Sequence, residues 1–260
     1  MRNQGNRYVI QSLTRGIKML ELLAQVGEPL TMSQLAEQMK MNRPTAYRFL
    51  YTLENLKLIE RNPESKAYQI APNILKLGYG VFQTSDLWQT AHPYLVGAKQ
   101  KYGETFNVSI LDDAQILYID RVKTQSILSI NLEIGSKLPA YCTSMGRVLL
   151  AYLTESEVRA LLKPIKWKKY TPQTIASFKE LQSILEEVRK KGVSINLGEL
   201  ALELWSAAAP IRNRDGKVVA AVNMAVNALK HEKRYVTKVM IPAVLEVASQ
   251  ISRAMGYLEP

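Results

Sequence analysis

Four side chains opening one short helix carry the chain's clearest chemistry: Arg43, Thr45, Tyr47 and Arg48. Guanidinium forks donate in pairs to guanine edges and phosphates, and hydroxyls bond beside them. The helix that presents them is predicted from its cap, Asn42, and from Pro44 in its first turn, where an N–H has no intrahelical partner. Ala46, Phe49, Leu50 and Leu53 follow at i, i+3, i+4 and i+7 and make its buried face. Arg43, Thr45, Tyr47, Arg48 and Thr52 are left pointing outward.

A second short helix precedes it. Thr31 caps that helix, with Gln34 three residues later completing a capping box, and Leu35, Ala36 and Met39 form its apolar stripe. Lys40-Met41-Asn42 breaks the pattern. Two short helices joined tightly, the second presenting polar and basic residues, form a helix-turn-helix that lays its second helix in the major groove. Leu58–Arg61 and Ala67–Ile70 then read as strands around the turn Asn62-Pro63-Glu64-Ser65-Lys66. This hairpin is a wing, with Arg61 and Lys66 placed to hold a phosphate backbone. The plainer alternative is a small helical subdomain without a ligand, but this order of elements is more specific than a basic helix alone.

The whole composition agrees with an acidic partner. The chain has 260 residues, a net charge of +11 and 47% hydrophobic residues. Up to Ile70, ten Lys/Arg stand against six Asp/Glu, a net +4, and the remaining +7 lies beyond. That balance favours nucleic acid. No apolar run approaches a membrane span and the N-terminus lacks a signal-peptide core, so a cytoplasmic protein without membrane contact is expected. Cys142 is the single cysteine, which fits a reducing compartment, and with His92 and His231 it makes no zinc-ligand spacing. No metal or cofactor is expected.

In chain order, Met1–Ile10 reads as a basic arm with Arg2 and Arg7, and Leu13–Val26 as a helix capped by Ser12 that buries Ile17, Leu20 and Ala24. Ala71–Asp86 is a junction containing a short helix over Asn73–Tyr79. Leu87–Tyr102 is a long helix in which Pro93 predicts a break or kink. Strands are expected over Thr105–Leu111, Gln115–Val122, Ile127–Leu132, Val193–Asn196, Ala207–Arg212 and Lys217–Ala225. Helices are expected over Thr143–Tyr152, Glu155–Leu162, Ile175–Lys191 and Arg234–Met255. Hairpins mixed with helices argue for an α+β domain around an antiparallel sheet.

One loop there has binding potential. Pro139–Gly146 is rich in small and hydroxyl-bearing residues and runs into a helix start. Free N–H groups at such a start can receive a carboxylate, and the same residues serve equally for simple capping by Thr143 or Ser144. Enzyme signatures are missing: Ser144-Met145-Gly146 is not a nucleophile elbow, and no Walker loop or dinucleotide fingerprint occurs.

Ser12-Leu13-Thr14-Arg15-Gly16-Ile17, Arg43-Pro44-Thr45-Ala46-Tyr47-Arg48 and Leu138–Arg147 together resemble the IclR family of bacterial transcriptional regulators, over nearly the whole chain. The resemblance implies a winged helix-turn-helix DNA-binding domain over 1–71, a linker helix over 72–86, and a GAF-like effector-binding and oligomerisation domain over 87–260. It implies a double-stranded operator as partner, a homodimer or homotetramer, and no enzymatic activity. With Tyr118-Ile119-Asp120-Arg121, the stretch Gly135–Leu150 is similar to the branch that controls catabolism of aromatic acids such as 4-hydroxybenzoate and protocatechuate. By matching position, the effector pocket would be lined by Tyr141, Thr143, Ser144, Met145, Gly146, Asn196, Ser206 and Asn223. Arg121 would meet the carboxylate or else make a surface ion pair, and Tyr141 would stack on a ring or else fill the core. The chain departs from that branch at Glu203 and Trp205, where a small and a basic residue are expected, so Trp205 is expected to reshape the pocket. Alternatives are an IclR-type sensor of another small carboxylate, an aromatic-acid enzyme with an appended DNA-binding domain, and an architectural DNA-binding protein.

Overall fold

A computed structural model of the chain describes residues 8–78, 86–124 and 132–258. They belong to two compact units, Met1–Thr84 and Ser85–Pro260.

The first unit is built from α1 (Gln11–Val26), α2 (Met32–Gln38), α3 (Arg43–Asn55) and the antiparallel pair β1 (Ile59–Arg61) and β2 (Tyr68–Ile70). The capping box of α2 forms as its sequence requires: Thr31 N–H donates to Gln34 Oε1 at 2.8 Å, and Gln34 N–H to Thr31 Oγ1 at 3.4 Å. Asn42 caps α3 by accepting from Thr45 N–H at 2.9 Å. Ala46, Leu50 and Leu53 then meet Met19, Leu20, Leu23, Leu35, Ile59 and Tyr68 in one core. Two details of α1 differ from expectation. It starts without a side-chain cap, after Ile10 rather than Ser12, and its buried stripe is Met19, Leu20 and Leu23. Ile17 and Ala24 lie outside that stripe and are exposed. After β2, a 3₁₀ turn over Pro72–Ile74 leads into helix that is described as far as 78. The expected arm residues Arg2 and Arg7, the rest of the junction and nearly all of the expected strand Ile127–Leu132 lie outside the described residues.

The second unit is a six-stranded antiparallel sheet with helices on both faces. Its strands are β3 (Thr105–Asp112), β4 (Gln115–Val122), β5 (Lys137–Pro139), β6 (Ser194–Leu197), β7 (Leu204–Arg212) and β8 (Val218–Asn227), in the spatial order β5-β4-β3-β8-β7-β6. On one face lie α4 (Asp86–Tyr102) and α8 (Ile241–Ala254), packed on Phe106, Val108, Ala207, Ala209, Ile211 and Val222. On the other lie α5 (Ser144–Ala151), α6 (Glu155–Leu162) and α7 (Phe178–Lys191), packed on Ile116, Tyr118, Ala208 and Ala221. Every residue of α5 is buried, the pattern of a helix enclosed on all sides.

Pro93, expected to break or kink its helix, and Pro242 are both accommodated. Pro93 sits inside the continuous α4, and Pro242 opens α8 behind a π-helical turn over Val236–Met240. A π turn widens the hydrogen-bond ring, which lets the chain pass a residue that has no N–H to offer. The short β5 is not among the strands expected from the sequence, since three residues with a proline carry no period.

Candidate nucleic-acid interface and ligand cavity

The outer face of α3 holds the side chains chosen from the sequence. Arg43, Tyr47 and Arg48 are exposed and Thr45 is half-buried. Tyr51, which the sequence reading missed, is also exposed, and its ring stacks on Tyr47 with centroids 6.1 Å apart. Its spacing of four residues from Tyr47 and three from Arg48 was the available signal. In the wing, Arg61 is tied down locally: Nε donates to Lys66 O at 3.5 Å, and the guanidinium lies 5.5 Å from the centroid of Tyr68. Lys66 is exposed at a φ of 58°. Asn62 Oδ1 shapes that turn by accepting from the N–H groups of Glu64 and Ser65 at 2.9 and 3.0 Å.

The second unit contains a cavity between its sheet and the turn before α5. It is lined by Arg121, Thr143, Ser144, Met145, Asn196, Ser206 and Asn223 from the sequence reading, and also by Asn107, Tyr118, Leu132, Leu138, Cys142, Leu200, Glu203, Leu204 and Ala225. Its floor is a polar row laid across three strands: Arg121 on β4 stands opposite Asn107 on β3, which stands opposite Asn223 on β8. Asn107 Nδ2 donates to Asn223 Oδ1 at 2.7 Å. Ser144 and Ser206 hydroxyls meet at 2.8 Å, and Asn196 Nδ2 holds the Cys142 carbonyl at 2.8 Å. Asn107 Oδ1 and Arg121 Nε are buried and have no hydrogen-bond partner among the described residues.

Arg121 reaches this cavity through a β-bulge. Ser109 faces Tyr118 but Val108 faces Asp120, so Ile119 is an extra residue on β4. A bulge reverses the alternation of the strand beyond it. Tyr118 and Arg121 therefore both line the cavity, while Asp120 turns to the opposite face and meets His92 Nδ1 at 3.0 Å.

Three sequence assignments come out differently. Tyr141 does not line the cavity: it is 2% exposed, its hydroxyl donates to Lys168 O at 2.7 Å and accepts from Lys168 N–H at 3.0 Å, and its ring packs on Trp167. Its core alternative is the one that applies. Gly146 does not line it either. A Cβ there would overlap the carbonyl oxygen and Cα of Ala140, so its role is close backbone approach. Trp205 packs among the residues of the α4/α8 face, because it alternates with Ser206 along β7. Thr143 both lines the cavity and caps α5, accepting from Gly146 N–H at 3.2 Å.

Behind the cavity lies a buried ion pair that the sequence reading did not find. Arg147, 2% exposed, reaches Glu199, 7% exposed, at 2.6 Å. Arg147 Nε also donates to Tyr141 O, and Glu199 N–H donates to Asn196 Oδ1. The pair therefore fixes the turn that carries Cys142 and Thr143. Burial pushes the Cys142 thiol up to about 12, and a thiol that stays protonated is a poor nucleophile. Among the described residues, no group of three His, Cys, Asp or Glu side chains gathers as a metal cage needs. Nor is any described helix long and apolar enough to cross a membrane. The cavity itself holds about 30 Å³, room for a water rather than a ring.

Comparison with known proteins places both units. Residues 12–63 match the IclR helix-turn-helix domain and residues 79–253 match the family described as Bacterial transcriptional regulator IclR C-terminal. The chain is 27% identical over 249 residues to the HTH-type transcriptional regulator XynR of Escherichia coli, covering 96% of this chain and 98% of that one. It is 29% identical over 248 residues to the Pca regulon regulatory protein of Pseudomonas putida, covering 95% and 84%. A solved structure of a transcriptional regulator from Rhodococcus sp. RHA1 superposes with a TM-score of 0.84 at 35% identity, covering 95% and 98%.

Proposed function

The chain belongs to the IclR family and is a DNA-binding transcriptional regulator, and we propose that it answers to a small aromatic carboxylate held in the cavity of its second unit, and so controls aromatic catabolic genes. The observation that carries this reading is the buried, unpartnered Arg121 Nε beside a largely apolar wall. A guanidinium pairs with a carboxylate in a fork, and leucine and methionine side chains suit a ring. Similarity to the Pca regulon regulatory protein supports the aromatic class.

A cavity of about 30 Å³ must widen to admit such a ligand. Leu132, Leu138, Leu200 and Leu204 line its apolar side. Binding therefore selects a conformation different from the closed one, which is the physical requirement for a signal. On the DNA side, Arg43, Thr45, Tyr47 and Arg48 face base edges and nearby phosphates, and Arg61 and Lys66 hold the backbone from the wing. Two such units in a homodimer, or pairs of them in a homotetramer, read the half-sites of a double-stranded operator in the cytoplasm.

Calorimetry with 4-hydroxybenzoate, protocatechuate and benzoate, with and without operator DNA, tests the reading. One acid binds, Arg121→Ala weakens it at least tenfold, and operator changes its affinity by the factor with which the acid changes operator affinity. Equal ligand affinity for wild type and Arg121→Ala removes this cavity from the signal.

A further inference from the structure

We infer that the cavity recognises a 2-hydroxycarboxylate, a carboxylate whose neighbouring carbon bears a hydroxyl, with Asn107 reading the hydroxyl. The inference rests on the reading that this cavity holds the effector with its carboxylate on Arg121, and it narrows the ligand beyond "aromatic acid".

Two atoms on directly opposed residues lead to it. Asn107 is 1% exposed, and its Nδ2 is committed to Asn223 while its Oδ1 has no partner. Arg121 Nε is likewise buried and unpartnered. One is an acceptor that needs a donor; the other is a donor that needs an acceptor. They rise from directly opposed positions on β3 and β4 and both line the cavity. Opposed residues on one sheet face have Cβ atoms about 5 Å apart. A ligand satisfying both must carry its acceptor and its donor close together, and a carboxylate with a hydroxyl on the next carbon does so. A hydroxyl across a ring from the carboxylate is carried away from this pair. A 2-oxo group offers Asn107 Oδ1 only a second acceptor, and a hydrogen atom there leaves the buried carbonyl unsatisfied. The Ser144–Ser206 hydroxyl pair and Met145 also line the cavity, where the remainder of the ligand lies once the cavity has widened.

The test uses the full chain and a matched set of probes: mandelate, phenylacetate, phenylglyoxylate and 4-hydroxyphenylacetate, titrated by calorimetry. Mandelate is expected to bind about tenfold tighter than phenylacetate, the equivalent of about 1.4 kcal/mol, and to exceed the other two as well. Asn107→Leu is expected to bring mandelate and phenylacetate to equal affinity. If that variant does not fold, Asn107→Ser, which keeps a shorter polar group, is expected to reduce the ratio, and the ligand comparison on wild type stands by itself. Carboxylates that bind through Arg121 without preferring mandelate, or that prefer phenylglyoxylate, overturn this inference and leave the effector site intact. Affinities that are the same in Arg121→Ala, or no binding by any probe, overturn the effector site and this inference with it.

Discussion

The buried pair Arg147–Glu199 shows how one residue away from a ligand can decide a site. Its charges gain little net stability, because removing them from water offsets most of their attraction. Removing one partner alone leaves the other charge buried. Arg147→Met is expected to lower unfolding stability by about 3–5 kcal/mol, read as a shift of the urea midpoint. It is also expected to loosen the Cys142–Thr143 turn, since Arg147 Nε holds the Tyr141 carbonyl at 3.0 Å. A midpoint unchanged from wild type would mean that Glu199 finds other partners. On the DNA side, Arg48→Ala is expected to weaken operator binding while effector affinity in the absence of DNA stays at the wild-type value. A gel shift with unchanged operator affinity would take Arg48 off the interface. An Arg–guanine pair is worth about 1–3 kcal/mol of discrimination.

At the scale of the element, α3 depends on its first turn. Asn42 Oδ1 satisfies the Thr45 N–H, one of the orphan donors of the helix start. Asn42→Ala is expected to cost about 1 kcal/mol of stability in the first unit, measured by thermal or denaturant unfolding of the whole chain with a probe in that unit, such as hydrogen exchange of α3. The effect should extend to operator affinity, because Arg43 and Thr45 sit in the turn that frays. Stability equal to wild type would show that another group replaces the cap. The elements themselves were readable for local reasons. The Thr31/Gln34 box, the Asn42 cap and the glycine at 192, in the left-handed region at a φ of 68°, each act within one turn of chain. The stripe of α1 was misread because Ile17 and Ala24 have helical spacing but no second layer to pack against.

At the scale of the molecule, burial sets a pH limit on the second unit. Burial raises the Tyr118 and Tyr141 hydroxyls from an ordinary 10.0 to about 12. A group whose folded value lies above its unfolded value favours folding fully below the unfolded value, and that contribution fades as pH rises toward the folded one. Stability is therefore expected to hold to about pH 10 from these groups and to fall between 10 and 12. Phenolate absorbance should show Tyr118 and Tyr141 titrating late and together with unfolding; their ionisation near pH 10 in folded protein would contradict the burial.

The sequence alone determined the two-part plan, the helix-turn-helix with its wing, and seven of the sixteen residues that line the cavity. Those follow from short-range periods, caps and turns, and from the resemblance carried by Leu138–Arg147. Tertiary structure decided which side chains meet. Simple alternation along β4 puts Asp120 on the face of Tyr118, yet the extra residue at Ile119 sends Asp120 to His92 and gives Arg121 to the cavity. Alternation along β7 turns Trp205 away from the cavity that Leu204 and Ser206 line, while Glu203, just before the strand, also lines the wall. Asn223 is far in the chain from Asn107 and Arg121, and the three become one row only when β3 pairs with β4 on one side and β8 on the other. A bulge and a strand order depend on contacts between distant segments, and no local period in the chain encodes them.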